Sequence, residues 1–421
     1  MKAVHGVFAT KIVDFGVRFT TSVFVARLLG PSDRGILTFA SLVVNWTVMF
    51  GNFTLTEATI FLLNGGKVSA QTAAATLGLF SALAGTVYAV VLACLVHFGV
   101  VHWPVGDVGL FMLLLTLVPV ALMTNNLMSV LQALRRYNAY NAFMLLRSAL
   151  ALVCIGVAAV AGQFRLLAVG WAMVIAAALH MLALLIYIGR MSDWKFDFSG
   201  GFFVAAWKYG IRGHLSVILA NITLRFDQFV LGALLPPSYL GWYSTAANIS
   251  ELPQLLPDSI SVVLLPKVAG DPAGAAAVTA RACRSTVLVM IGVSLVLGLI
   301  APVVIPLIYG QAFAPTVQAL WYLLPSIVFL SISKVLTKYI YGVGRPTLCI
   351  WSTAASAIVT AAMIFPMVKH YGMIGAGITS SCAYAAGALV DLTMTVRLSA
   401  TRVGEFLLPR RPDFSYAALF R

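Results

Sequence analysis

Long apolar segments follow one another along the whole chain, and short polar breaks separate them. Each segment is long enough to cross a bilayer as a helix, which takes about 20 apolar residues. The breaks are turn-like, as at Gly30-Pro31-Ser32-Asp33 and Gly344-Arg345-Pro346. The pattern predicts twelve transmembrane helices, at 7–29, 35–62, 75–100, 108–131, 141–162, 166–189, 208–235, 240–266, 285–308, 317–341, 347–367 and 373–396.

Composition narrows the class of protein. Of the 421 residues, 61% are hydrophobic and only 10% are charged, which excludes a water-soluble globule and a disordered chain. A transmembrane barrel would show alternating ten-residue segments rather than long apolar runs. We therefore expect an all-α polytopic membrane protein. The longest loops, near 190–207 and 267–284, hold only about 20 residues, too few for a nucleotide-hydrolysing domain.

The chain is strongly basic, with 27 Lys and Arg against 13 Asp and Glu. In a membrane protein this excess marks cytoplasmic loops, so it predicts no nucleic-acid partner. The alternate loops carry few cations, and 236–239 and 309–316 carry none. This asymmetry places both termini in the cytoplasm, at the inner membrane. The loops of the basic set carry Lys67, Arg135, Arg136, Arg190, Lys195, Lys267, Arg281, Arg284, Arg345, Arg397, Arg402, Arg410 and Arg411.

An internal repeat divides the chain into halves. The segment Leu28–Gly35 aligns with Leu234–Gly241 at an offset of 206 residues. Halves of six spans each have the same topology, so they are related by a pseudo-twofold axis along the membrane normal, with a site in a central cavity between them. We predict six-helix lobes at 1–198 and 199–400, and a cytoplasmic tail at 401–421.

Ionisable side chains inside spans are costly and therefore informative. In the first span, Lys11, Asp14 and Arg18 share one helix face. One interpretation is an anion-binding site in which Arg18 holds the anion and Asp14 tunes it or takes a proton. The other is an ion cluster that neutralises itself and fixes helix packing.

The seventh span carries a second polar face. His214, Asn221 and Arg225 lie on this face, whereas Asp227 points elsewhere, toward the eighth span. The arrangement predicts that Arg225 is a second anion-binding arginine in the cavity. For His214 the sequence favours a hydrogen-bonded packing role, although its position on this face also makes it a cavity candidate.

The eighth span carries Glu251 and Asp258, which are seven residues apart on one face. They are candidates for coupling a proton or cation, together with Asp14 and Asp227, or they are salt-bridge partners of the arginines. In the tenth span, Lys334 is a further cavity candidate. Charges near the span ends are expected at the membrane interface, and these are Lys338, Arg147, Glu57 and Asp391.

Several motifs taken together resemble the Wzx-type oligosaccharide flippases, the polysaccharide transporter branch of the multidrug/oligosaccharidyl-lipid/polysaccharide (MOP) exporter superfamily. The resemblance rests on Ala26–Gly35, Arg225–Gln228 with Leu231–Gly232, Leu240–Tyr243, Leu264–Lys267, Tyr341–Pro346 and Tyr371–Gly377. It implies alternating access by two six-helix lobes. It also implies a substrate, the undecaprenyl-pyrophosphate-linked oligosaccharide used for O-antigen, capsule or exopolysaccharide.

The resemblance further implies exchange with protons or sodium ions, contact with membrane lipids, and polymerase or assembly proteins as partners. Arg18 and Arg225 are then the candidates for the pyrophosphate. A drug or cation antiporter of the same fold is the alternative, but Arg18, Arg225 and Lys334 would repel a cation. A ligase or polymerase would need a sizeable outer loop, so we expect no enzyme. The five cysteines show no metal or redox spacing, and no cofactor or metal is expected.

Overall fold

A computed structural model describes residues 2–64, 68–100, 103, 108–161, 165–191, 197–270 and 274–408. The side chains of 2–9 and 64 are outside this description. So are Lys67, Lys195, Arg410 and Arg411, four cations of the predicted charge asymmetry, and most of the predicted tail. The chain folds into two compact units, Met1–Ile218 and Leu219–Arg421.

The first unit is built from helices. They are α1 (Lys2–Asn52), α2 (Leu55–Asn64), α3 (Ala70–His97), α4 (Val108–Leu115), α5 (Leu117–Ala133), α6 (Tyr137–Val160), α7 (Leu166–Arg190) and the first half of α8 (Gly200–Leu234). Two apolar clusters form its core. One joins α1, α4, α5 and α7 around Phe111, and the other joins α2, α3, α5 and α8 around Leu127.

The second unit begins within α8. Its other helices are α9 (Pro237–Glu251), α10 (Leu255–Gly270), α11 (Ala275–Tyr309), α12 (Thr316–Gly342), α13 (Cys349–Ser399) and α14 (Val403–Leu407). Short 3-10 turns lie at Leu252–Gln254, Gln311–Phe313 and Pro346–Leu348. Its apolar core joins α10, α11, α12 and α13 around Leu336, and Phe406 of α14 is buried in the same cluster.

Two of the helices are too long for one crossing. Both α1 and α13 have 51 residues, about 77 Å at 1.5 Å per residue, more than twice the thickness of the hydrocarbon core. Each has a break at a glycine with positive φ, Gly30 (φ 76°, ψ 177°) and Gly372 (φ 58°, ψ −134°). Residues other than glycine rarely adopt such backbone angles. Each helix is therefore two spans that meet at a tight turn.

By length and composition, eight described helices can cross a membrane, or nine if the pair Thr10–Asn52 and Leu55–Leu63, bent by 42°, is one span. Dividing α1 and α13 at their glycines, and adding the less apolar segment of α9 and α10, gives twelve crossings in the described residues. The predicted all-α fold with about twelve spans is confirmed.

Hydrogen bonds from Arg34 stabilise the turn at Gly30. Its Nη1 donates to the Ser22 carbonyl at 2.6 Å, and its Nη2 donates to Ser22 Oγ at 2.8 Å. These bonds join the two halves of α1 across the break. Gly30 and Arg34 both lie in the segment Ala26–Gly35, so this part of the motif has a structural reason, although Ser22 precedes it.

Two helices extend into segments that the sequence assigned to loops. Within the connections expected near 190–207 and 267–284, residues 200–207 belong to α8, which begins at Gly200, and residues 275–284 belong to α11, which begins at Ala275. The cations Lys208 and Arg212 in α8, and Arg281 and Arg284 in α11, interrupted the apolar pattern near the start of each helix. The compact units meet at residue 218, within α8, whereas the lobe limits were placed at 198 and 400; those limits stay a prediction.

Candidate functional site

The first unit carries an ion pair within α1. Arg18 Nη2 lies 2.9 Å from Asp14 Oδ2, and the two side chains are 59% and 9% exposed. Arg18 is twelve residues before Gly30, about 18 Å along the helix and therefore near mid-membrane. The carboxylate is buried while the guanidinium remains accessible. The accessible Arg18 guanidinium is therefore a cation whose charge is compensated by the buried Asp14 carboxylate.

Arg147 of α6 joins this pair. It interacts electrostatically with both Arg18 and Asp14, and its side chain is exposed. The sequence placed Arg147 at the interface because it lies near the predicted end of its span, and that placement stays a prediction. The packing of α6 on α1 brings Arg147 close enough to Arg18 for their charges to interact, which the spacing in the sequence does not show. Lys11 is one turn before Asp14 and is exposed as well.

His214 packs against the break between α1 and α2. Its Nδ1 lies 3.1 Å from Thr54 Oγ1, its ring is tilted against Phe53, and the residue is buried. Phe53 and Thr54 have positive φ, and α8 approaches them closely at Gly210. These contacts are those of a packing histidine, the role that the sequence favoured.

The second unit has an ion pair between α8 and α9. Arg225 Nη2 lies 2.8 Å from Glu251 Oε1, and both side chains are partly accessible. Glu251 is the last residue of α9, just before the 3-10 turn that precedes α10. The predicted salt bridge between this carboxylate and an arginine is confirmed. Asn221, one turn before Arg225, is partly buried and has an interaction partner of its own.

A further ion pair lies between α10 and α12. Lys334 Nζ lies 2.7 Å from Asp258 Oδ1. One of the two sequence interpretations paired Asp258 with an arginine, and the structure corrects this partner to a lysine. A 3-10 turn at Leu252–Gln254 separates the two carboxylates, and each of them pairs with a different cation.

Asp227 lies in a buried polar network. Its Oδ2 accepts hydrogen bonds from Tyr243 Oη at 2.5 Å and Ser380 Oγ at 2.8 Å, and its Oδ1 accepts one from the Gln228 amide at 2.7 Å. Asp227 therefore points toward the eighth span, as the sequence predicted. The sequence missed Tyr243 and Ser380, because nothing in their spacing shows that α9 and α13 converge on α8.

Asp391 is not interfacial, contrary to the sequence prediction. It is buried in α13, and Ser333 and Ser352 interact with its carboxylate. The prediction counted turns to the end of the span and could not see the helices that enclose the residue. Lys338 Nζ lies 5.8 Å from the Tyr341 ring, near the end of α12, and Glu57 is exposed in the first turn of α2.

Metal-binding clusters of three or more His, Cys, Asp or Glu side chains do not occur among the described residues. What the site residues form instead are three pairs of opposite charge within the spans, one in the first unit and two in the second. In each pair the cation is partly accessible. Such groups can exchange a carboxylate for another anion of comparable geometry.

The fold is shared with solved membrane transporters. The lipid II flippase MurJ, in an inward closed conformation, has a TM-score of 0.75 and 14% identity over 95% of this chain and 88% of that one. An inward-facing multidrug resistance MATE family transporter of the MOP superfamily has a TM-score of 0.71 and 16% identity, over 92% of this chain and 94% of that one. A MOP superfamily transporter from Pyrococcus furiosus, described as having a binding pocket of reverse polarity, has a TM-score of 0.65 and 15% identity, over 95% and 96%.

The helical architecture defines a multi-pass membrane protein with the MOP transporter fold. A sequence model described as polysaccharide biosynthesis protein matches residues 24–318, more than half of the chain. The chain therefore belongs to this polysaccharide biosynthesis protein family, and the resemblance stated from its motifs is confirmed. No curated protein matches the chain.

Proposed function

We propose that the protein moves undecaprenyl-pyrophosphate-linked oligosaccharide units across the inner membrane by alternating access, for the assembly of O-antigen, capsule or exopolysaccharide. Both termini lie in the cytoplasm in this proposal, and polymerase or assembly proteins take over the flipped unit. The protein catalyses no covalent step. The observation that supports this proposal is a set of accessible cations within the spans, each paired with a carboxylate. They occur in a chain of the polysaccharide biosynthesis protein family.

The pyrophosphate is the part of the substrate that these cations would recognise. Arg18 and Arg225 each have an accessible guanidinium, and such a group can bind phosphate oxygens in a bidentate manner. Lys11, Lys334 and Asn221 supplement them as polar or charged contacts. His214 has a supporting role, because its imidazole is engaged by Thr54.

Ion coupling follows from the same pairs. Protonation of Asp14 or Glu251 removes the partner charge of Arg18 or Arg225, so the arginine becomes available to the pyrophosphate. Release of the anion restores the pair and returns the proton. Asp258 and Asp227 are the remaining coupling candidates, with a proton or a sodium ion as the coupled species.

An antiporter of drugs or cations is the alternative function of this fold. Such a substrate needs an unpaired acidic group in its path. Here Asp14, Glu251 and Asp258 each face a cation, which lowers their attraction for a cationic substrate. Asp227 and Asp391 form no ion pair among the described residues, but they are 6% and 2% exposed and therefore closed to a drug-sized molecule. The charge pattern therefore favours an anionic cargo.

A strain that lacks the gene tests the proposal. Undecaprenyl-linked units are extracted, and the leaflet that they occupy is determined with an added glycosidase that reaches only the periplasmic side. We expect intermediates to accumulate on the cytoplasmic side and to become accessible when the wild-type gene is restored. Intermediates that reach the periplasm without the protein would contradict the proposal, and changed drug sensitivity with normal glycan would favour the antiporter.

Variants connect the transport to the cations. We expect Arg18→Ala and Arg225→Ala to lose translocation, and Arg18→Lys to restore part of it because the charge remains but the bidentate geometry does not. Lys369→Ala is the matched control, since it removes one positive charge at an exposed position near the end of the first half of α13. Normal translocation by both alanine variants at wild-type protein levels would exclude the pyrophosphate role.

A further inference from the structure

Asp391 carries a buried carboxylate whose charge lacks a partner. The residue is 2% exposed, and its Oδ1 has no hydrogen-bond partner. In the described part of the chain, no Lys or Arg forms an ion pair with it. A carboxylate in a low-dielectric interior requires a counter-charge or a proton. The position therefore calls for a positively charged species that protein side chains do not supply.

Thr395 has a second buried polar group without a hydrogen-bond partner, next to Asp391. It lies one helical turn after Asp391, on the same face, with 0% exposure, and its Oγ1 also has no hydrogen-bond partner. Other threonines of α13 satisfy their hydroxyl by donating to the carbonyl four residues earlier, as Thr360 does at 2.9 Å and Thr379 at 2.8 Å. The Thr395 hydroxyl does not, so its oxygen is free to act as a ligand.

Two further hydroxyl groups complete the cluster. Ser352, in the first half of α13, and Ser333, in α12, interact with the Asp391 carboxylate. The Ser352 hydroxyl donates its proton to the Cys349 carbonyl at 2.9 Å, so its oxygen keeps lone pairs for a cation. The two halves of α13 meet closely at Gly387, where a Cβ atom would lie 2.3 Å from Ser356 Oγ and 3.3 Å from the Ser352 carbonyl. The missing side chain at Gly387, one turn before Asp391, therefore lets the two halves of α13 approach each other beside the carboxylate.

The neighbouring titratable groups are few. Tyr341 and Cys349 interact electrostatically with Asp391, and Lys338 interacts with Cys349. The Lys338 ammonium is over the Tyr341 ring rather than in contact with the carboxylate. The cluster thus offers oxygen ligands from three helical segments around a single negative charge.

We propose that Asp391, Thr395, Ser352 and Ser333 bind a monovalent cation, and that the cation is Na⁺. Carboxylate and hydroxyl oxygens are hard ligands that suit such an ion. One carboxylate neutralises one charge, whereas a divalent ion would leave a net positive charge in a low-dielectric interior. Ca²⁺ also takes six to eight oxygen ligands, more than this cluster supplies. The site is separate from Asp227, and its existence does not depend on which substrate is transported.

Binding is measured on the purified full-length protein, with Na⁺ as the probe. Thermal unfolding is followed while NaCl replaces choline chloride at constant ionic strength, because an ion that binds only the folded state raises its melting temperature. Direct binding of ²²Na⁺ gives the stoichiometry. For the wild type we expect a saturable rise in melting temperature with Na⁺. The absence of any Na⁺-specific rise and of ²²Na⁺ binding would overturn the proposal, since the carboxyl would then be protonated or hydrated.

Two variants locate the ion. We expect Asp391→Asn to weaken Na⁺ binding about tenfold or more, and Thr395→Val, which keeps the shape but removes the hydroxyl, to weaken it less. Thr393→Val is the matched control, since its exposed hydroxyl donates to the Val390 carbonyl on another face of the same helix. Unchanged Na⁺ binding by the Asn and Val variants at 391 and 395 would overturn the proposal. Loss of binding in Asp227→Asn alone would assign the ion to the other network.

Discussion

Lys334 Nζ lies 2.7 Å from Asp258 Oδ1, and the Lys334 carbonyl accepts a hydrogen bond from Ser261 Oγ at 3.1 Å. One residue of α12 is thus bound to α10 through both its side chain and its backbone. The contacts lie within two membrane-spanning segments, where an unpaired charge is costly. This relationship makes the pair a structural element as well as a candidate part of the transport path.

Neutralising one member of the pair should impair transport. We expect Asp258→Asn to lower glycan export about tenfold rather than abolish it, because both side chains are partly exposed and water screens the remaining charge. Export is measured as surface polysaccharide in a deletion strain that carries each variant at matched protein level.

The exchanged pair is the informative control. Asp258→Lys combined with Lys334→Asp should recover most of the export that either single reversal loses. If the double variant is as defective as the single ones, the positions of the charges matter for the substrate rather than for pairing.

A close helix contact in the first unit gives a stability prediction. A Cβ atom at Gly210 would lie 2.2 Å from the Phe53 carbonyl oxygen, whereas at Gly213 nothing lies within 4 Å. We expect Gly210→Ala to lower the free energy of unfolding by about 1–3 kcal/mol, because backbone must move. Gly213→Ala should be neutral or stabilising by up to about 1 kcal/mol. Thermal unfolding in detergent distinguishes the two, and equal melting temperatures would contradict the close approach.

The turn at Gly30 gives a second stability prediction. With φ 76° and ψ 177°, the position is in a region that is essentially restricted to glycine, so Gly30→Ala should cost about 1–3 kcal/mol. Gly16→Ala, in the same helix and without neighbours within 4 Å, serves as the control. A melting temperature for Gly30→Ala that matches the wild type would show that the two halves of α1 join in another way.

The buried hydrogen-bond network around Asp227 gives a third stability prediction. Tyr243→Phe removes a donor to a buried carboxylate and should destabilise the protein by about 1–3 kcal/mol, and Ser380→Ala should cost a similar amount. Because both hydroxyls donate to the same oxygen, the double variant should deviate from the sum of the two. Tyr371→Phe, at an exposed position, should leave the melting temperature unchanged. Strict additivity would mean that the two donors act independently.

The sequence predicted single helices better than it predicted partners. The face shared by Asp14 and Arg18 follows from their spacing alone, because four residues make one helical turn, and the ion pair is found there. The arginine partner considered for Asp258 and the interfacial position expected for Asp391 were wrong. Both depend on how α10, α12 and the two halves of α13 pack, and neither spacing nor hydropathy records that packing.

By itself, the sequence determined the class of protein, the number of crossings and the turns that separate them. It did so because a bilayer requires about 20 apolar residues for each span, and this requirement is written into the order of residues. Only the tertiary structure decided which charges meet, that Arg147 joins Arg18, and that Tyr243 and Ser380 hold Asp227. These contacts join residues up to 153 positions apart in the chain. Their geometry is fixed by side-chain packing between helices, where a change of one glycine, such as Gly387, determines whether two segments can touch.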